Sequence, residues 1–95
     1  MGLHEQWWTK LRLGMALQDL KRYDEAIRVL EEAVHLRPDK PEGWRQLALS
    51  CSLAGNPAKA AANQLTSLDL LEREYKAAQI EPLEYLIGFQ LDAGR

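Results

Sequence analysis

The sequence repeats its pattern of small and large apolar residues after 34 positions. Leu13 recurs as Leu47 and Ala26 recurs as Ala60, so that large residues align with large ones and small with small. A period of about 34 residues is typical of stacked helix-turn-helix repeats, in which each helical hairpin buries its apolar face against the next. The period therefore predicts an all-α fold built from antiparallel helix hairpins.

Five residues in the first half of the chain have the spacing of a known repeat: Leu13, Gly14, Ala26, Leu30 and Pro38. They resemble the tetratricopeptide repeat (TPR) family, whose pattern has a Leu-Gly pair, an alanine, a large residue four positions later and a closing proline. The resemblance extends over about residues 7–70. It implies a TPR-like α-solenoid with right-handed superhelical stacking, and a scaffold that holds another polypeptide.

Prolines, glycines and capping residues divide the chain into about five predicted helices. Their expected ranges are about 4–20, 24–36, 39–53, 57–80 and 82–93. Asp24 is a good N-cap for the second helix, and Gly55 supplies the left-handed residue that ends the third. Pro82 disfavours helical geometry at the preceding residue and suits a first helical position, so it predicts the start of a last helix.

These helices predict one TPR-like domain over residues 1–95, because a chain of this length has no room for a second core. The second repeat departs from the family pattern, since Glu72 stands where Pro38 closes the first. Its second helix is therefore expected to be extended. The expected parts are repeat one at about 7–40, repeat two at about 41–74 with its second helix extended to about 80, and a C-terminal helix at about 82–93.

Small residues in these helices indicate close contact between helix backbones. Gly14 and Ala26 are expected to face each other across the first hairpin. One apolar stripe of the first helix is expected to fill the space between the helices: Leu13, Leu17 and Leu20. Cys51 lies on the corresponding stripe of the third helix, so we expect it to be a buried, unreactive residue.

The first helix has a second apolar stripe on its opposite side, at about 100° per residue: Trp8, Leu11, Met15 and Gln18. One helix cannot bury both stripes within one hairpin. In the resembled family, this face lines a concave groove that holds a partner peptide. The resemblance thus implies these partner-binding residues: Trp8, Leu11, Arg12, Met15, Arg45, Gln46 and Leu49. Alternatively, Trp7 and Trp8 cap the first hairpin or pack on a preceding repeat.

The expected groove is part apolar and part charged, which favours an amphipathic helix or an extended segment with apolar anchors. Repeats of this family that clamp a C-terminal carboxylate have lysine and asparagine on this face, whereas this chain has Leu11 and Met15. An apolar pair cannot supply the charge-assisted donors that a carboxylate needs. The sequence therefore argues against a clamp for the C-terminus of a peptide.

Charge and hydropathy argue against other classes of partner. The net charge is -2 and the pI is about 5.6, so no basic stripe is expected to follow a phosphate backbone. No apolar run reaches the roughly 18 residues that span a bilayer, and the first residues lack a secretory signal pattern. We expect neither nucleic-acid nor membrane binding, and a cytoplasmic location.

The sequence also lacks the patterns of an enzyme, metal or cofactor site. It contains no His-Glu-x-x-His, no paired cysteines and no glycine-rich phosphate loop. His35 falls in the last turn of the second helix, where the helix dipole favours a cation without any catalytic role. We therefore expect no catalytic residue, no bound metal and no cofactor.

Two functional classes remain. The first is an adaptor that binds a peptide segment or helix of a partner protein in its groove. The second is a self-assembling, homo-oligomeric module, since two repeats are fewer than the three or so usually needed for independent stability. A fragment of a longer repeat scaffold is a further alternative, because the last residues, Ala93 to Arg95, resemble the turn before another helix.

Overall fold

A computed structural model describes the backbone of residues 2–93 and the side chains of residues 2–78. Its helices, in chain order, are α1 (Leu3–Asp19), α2 (Tyr23–Leu36), α3 (Pro41–Leu53) and α4 (Pro57–Ala93). The backbone of residues 2–93 contains no strand. The predicted all-α class is therefore confirmed for this part of the chain.

Short connections fold each helix back on the one before it. The connection after α1 contains Lys21 in the left-handed region, with φ 62°. The connection after α3 contains Gly55 at φ 85°, as its place behind the third helix predicts. Pro41 is the first residue of α3, where the missing N–H of proline removes no helical hydrogen bond. Proline and glycine therefore mark the ends of α3 correctly.

The predicted N-cap of α2 is wrong. The helix begins at Tyr23, and Arg22 precedes it without a side-chain cap hydrogen bond. The guanidinium of Arg22 donates two hydrogen bonds of 2.8 Å to the carboxylate of Glu25, which holds the chain in place before the first turn. Asp24 lies within that turn, where the helix dipole favours an acidic side chain.

The core lies where α1, α2 and α3 meet. Its buried residues form one cluster: Trp7, Leu11, Leu30, Ala33, Val34, Leu47 and Cys51. α1 packs on α2, α3 packs on α4, and α3 also lies against α2 and α1. The hydroxyl of Ser67 donates a 3.1 Å hydrogen bond to the carbonyl of Pro41, which ties α4 to the start of α3.

The core stripe predicted for α1 is largely wrong. Leu13 is 49% exposed and Leu20 is 65% exposed, whereas Leu17 is buried as predicted. The observed stripe lies further around the helix: Trp7, Leu11, Gly14, Leu17 and Gln18. The stripe is displaced because α1 packs against α3 as well as α2, so its buried side points between two neighbours.

α4 runs without interruption from Pro57 to Ala93, so the described backbone of residues 2–93 forms four helices where about five were predicted. The predicted break at Pro82 does not occur. A proline inside a helix removes one backbone hydrogen bond, but alanine, leucine and glutamate are frequent on both sides of Pro82 and favour helix there. The boundaries of the repeats and the handedness of their stacking stay predictions.

Candidate partner-binding surface

A buried glutamine sets α1 and α3 side by side. The side-chain amide of Gln18 donates hydrogen bonds to the backbone carbonyl of Gln46, at 2.9 Å, and to the hydroxyl of Ser50, at 2.6 Å. Gln18 is 9% exposed, so its predicted place on the open stripe is wrong. Because a buried polar group must keep its partners, these two bonds fix how the surfaces of α1 and α3 adjoin.

On α1, three of the four predicted site residues lie on the surface. Trp8, Arg12 and Met15 are exposed and spaced by four and three residues, so they share one face of the helix. Leu11 is only 3% exposed and belongs to the core cluster. Its predicted place in an open groove is wrong, because it lies on the side of α1 that α3 and α2 cover.

On α3, Arg45 and Leu49 are exposed, and Gln46 is half-buried. The 34-residue period aligns Glu42, Gln46 and Leu49 with the exposed face of α1. We call the combined surface the groove face and define it by six residues: Trp8, Arg12, Met15, Glu42, Gln46 and Leu49. Arg45 lies beside this face and lines a depression between α3 and α4.

A cleft of about 710 Å³ opens where the start of α1 meets the start of α3. It is lined by His4, Glu5, Trp7, Trp8, Thr9, Lys40 and Glu42. The ring centroids of Trp7 and Trp8 are 5.8 Å apart, and the guanidinium of Arg12 lies 5.7 Å from the Trp8 ring. The cleft thus combines an aromatic wall with both signs of charge.

Six of the seven lining residues, all except Trp8, were missing from the predicted site. Glu42 stands 34 positions after Trp8, so the repeat period alone indicates that it shares the face of that tryptophan. Lys40 lies in the connection before α3, where no helical period applies, and its place in the cleft has no signal in the sequence.

A second depression, of about 530 Å³, runs between α3 and α4, and we call it the α3–α4 trough. It is lined by Arg45, Gln46, Ala48, Leu49, Ser52, Ala60, Ala61 and Gln64. Further along α4, the side chains of Leu68, Leu71 and Tyr75 are between 41% and 66% exposed. The trough therefore continues into an uncovered apolar strip of α4.

Burial and ion pairing shift the pKa values of several titratable groups with described side chains. Cys51 is 1% exposed, as predicted, and burial raises the pKa of its thiol. The amide of Asn63 donates to its sulfur at 3.7 Å. The bidentate hydrogen bond from Arg37 lowers the pKa of Asp39 at the exposed turn before α3. Among the residues with described side chains, no three metal-ligating groups come together.

No helix within the described residues combines the length and the apolar character needed to cross a membrane.

Comparisons with known proteins support a repeat fold. The sequence model of the tetratricopeptide repeat matches residues 7–50. The solved structure MamA MSR-1 C2 superimposes with a TM-score of 0.69 and 34% sequence identity, over 72% of this chain and 39% of that chain. The chain therefore spans about two fifths of the structure it matches. No curated protein matches the sequence significantly. This chain carries a tetratricopeptide repeat segment over residues 7–50.

Proposed function

We propose that this protein is a protein-interaction module whose groove face binds a segment of another polypeptide. The main observation in support is that the side chains of Trp8, Met15 and Leu49 are between 37% and 47% exposed, although the fold has a buried core cluster formed by other residues. None of these side chains belongs to the buried cluster, so the exposed part of their apolar surface is free for a partner. Stacked helical repeats commonly use such surfaces for binding, which supports the assignment.

The proposed partner segment has two apolar anchors. Trp8 and Met15 are two turns apart on α1, a distance of about 10 Å. An apolar pair seven residues apart on a helix, or three apart on an extended strand, spans the same distance. Tryptophan is among the residues that contribute most to protein interfaces, so the anchor that contacts Trp8 is expected to dominate the affinity.

The partner is also expected to carry an acidic residue between its anchors. Arg12 lies between Trp8 and Met15, and its guanidinium is positioned by the Trp8 ring. Within the part of the chain whose side chains are described, Arg12 makes no salt bridge. A carboxylate of the partner would form a charge-assisted hydrogen bond with this guanidinium and fix the register of the segment.

The proposal is tested by selecting binders from a displayed peptide library with the wild-type protein. Selected peptides are expected to contain apolar anchors around an acidic residue. Their affinity should fall by about tenfold or more in Trp8→Ala and in Met15→Lys, because each change removes an anchor contact. Arg12→Glu should weaken the same peptides through charge repulsion. Fluorescence anisotropy at low protein concentration measures all of these affinities.

The matched control is Leu65→Lys, since Leu65 is 67% exposed on α4 and lies outside the groove face. This variant should bind the selected peptides as the wild type does. Circular dichroism should show the same helix content in every variant. If the groove variants bind with wild-type affinity, or the library yields no binder, the proposed function is wrong.

A further inference from the structure

The α3–α4 trough corresponds, 34 residues earlier, to the surface between α1 and α2. In the first hairpin, α3 covers that surface. Five of the trough's lining residues have counterparts 34 positions before them that are buried: Arg45 with Leu11, Ala48 with Gly14, Ser52 with Gln18, Ala60 with Ala26, and Gln64 with Leu30. Gln18 is buried because it binds α3 directly. The first hairpin is thus buried at three positions where the second hairpin is exposed: Arg45, Ser52 and Gln64.

The exposed apolar strip of α4 likewise corresponds, 34 residues earlier, to a part of α2 that α3 covers. Val34 is 6% exposed, and its side chain lies 2.9 Å from the position that a Cβ on Gly43 of α3 would take. Its counterpart 34 positions later, Leu68, is 50% exposed. The internal contact therefore defines what fits against Leu68: a helix that packs as α3 does, with small residues facing the strip.

The opposite edge of the molecule presents such a helix. Thr9, Leu13 and Ala16 are exposed on one side of α1. Their counterparts 34 positions later are all buried in α3: Gly43, Leu47 and Ser50. A depression of about 340 Å³ beside them is lined by Leu13 and Leu17 of α1 and by residues of α2. This edge thus carries the residue pattern that α3 uses to pack on the first hairpin.

We propose that copies of this chain stack head to tail, with α1 of one copy seated in the α3–α4 trough of the next. In this arrangement Leu13 takes the position of Leu47, Ala16 that of Ser50, and Leu68 becomes covered as Val34 is. A second copy is the occupant because its α1 has the same leucine and a similarly small residue at the two contact positions. The junction between copies repeats the junction within the chain.

The junction between copies is weaker than the internal one. Arg45 and Gln64 line the trough where Leu11 and Leu30 lie in the core, and Thr9 replaces the glycine that gives closest approach. We therefore expect a dissociation constant on the order of 100 µM, as for a small, partly polar interface. The two edges are different surfaces, so stacking does not close, and the assembly grows with concentration.

Sedimentation velocity from about 5 µM to about 500 µM tests the stacking. The weight-average mass should rise from the monomer value of 10.8 kDa past twice that value without reaching a plateau. Leu13→Glu blocks one edge and Leu68→Glu blocks the other, and both side chains are exposed, so both variants should keep their helix content. Each variant alone should remain monomeric at every concentration.

Mixing the two blocked variants gives the sharpest result. Leu13→Glu keeps an intact trough and Leu68→Glu keeps an intact α1 edge, so an equimolar mixture should form a dimer with one copy of each. A mixture that stays monomeric, or a wild type that stays monomeric throughout, overturns the proposal. If Leu13→Glu alone still dimerises and Leu68→Glu does not, α4 pairs with itself and head-to-tail stacking is wrong.

The groove face and the trough share Gln46 and Leu49, so the two proposals are separated with residues that belong to only one of the surfaces. Met15→Lys lies on the groove face and should stack like the wild type. Leu68→Glu lies in the trough strip and should bind the selected peptides with wild-type affinity. Peptide affinity therefore tests the groove face, sedimentation tests the stacking, and either proposal can fail while the other holds.

Discussion

The crossing of α1 over α2 depends on a missing side chain. A Cβ on Gly14 would lie 2.5 Å from Cγ and from Cδ2 of Leu30, closer than real Cβ contacts come. Leu30 is fully buried in the core cluster. The sequence correctly marks Gly14 as a close contact, but it assigns Ala26 as the opposing residue, whereas the atoms nearest to Gly14 belong to Leu30.

Gly14→Ala is therefore expected to destabilise the protein. The added methyl group overpacks the crossing at a cost of about 1–3 kcal/mol, which outweighs the gain of up to about 1 kcal/mol from alanine's helix propensity. The control is Gly2→Ala, because a Cβ on Gly2 meets nothing within 4 Å. Urea unfolding measures both changes. A higher midpoint for Gly14→Ala than for the wild type would contradict this packing.

At the scale of the helices, the sequence predicts where elements end better than which side they bury. Proline at the start of α3 and glycine after it stop the backbone locally, so the limits of α3 follow from chemistry that nearby residues determine. The choice between two apolar stripes on α1 depends on α3, which lies far along the chain. Periodicity finds both stripes, but it contains no information about a second neighbour.

Gln18 of α1 makes hydrogen bonds to this second neighbour, α3. Gln18→Ala removes two hydrogen bonds between α1 and α3 and leaves buried polar atoms without their donor. We expect the free energy of unfolding to fall by about 1–3 kcal/mol. Gln6→Ala is the control, since Gln6 is exposed on the same helix and its change should be near neutral. Equal unfolding midpoints for the two variants would show that Gln18 does not join the helices.

Across the whole molecule, one repeat position has opposite environments in the two hairpins. Leu11 is core because α3 covers it, and its counterpart Arg45 is surface because nothing among the described residues covers it. The exposure of Trp8, Met15 and Leu49 could be predicted from the helical period, because it does not depend on a helix far along the chain. The burial of Leu11 could not be predicted in this way, because the stability of a repeat array depends on contacts between neighbouring hairpins.

Exchanging the residues at this position tests the asymmetry. Leu11→Arg buries a charge without a partner, so it should cost several kcal/mol and unfold much of the protein. Arg45→Leu should change the free energy of unfolding by no more than about 0.5 kcal/mol, because its side chain stays on the surface. It should also strengthen the concentration-dependent stacking, since the trough becomes more apolar. Urea unfolding at low concentration and sedimentation at high concentration measure the two effects. A folded Leu11→Arg protein would indicate that Leu11 lies in the open groove, and it would contradict the core described above.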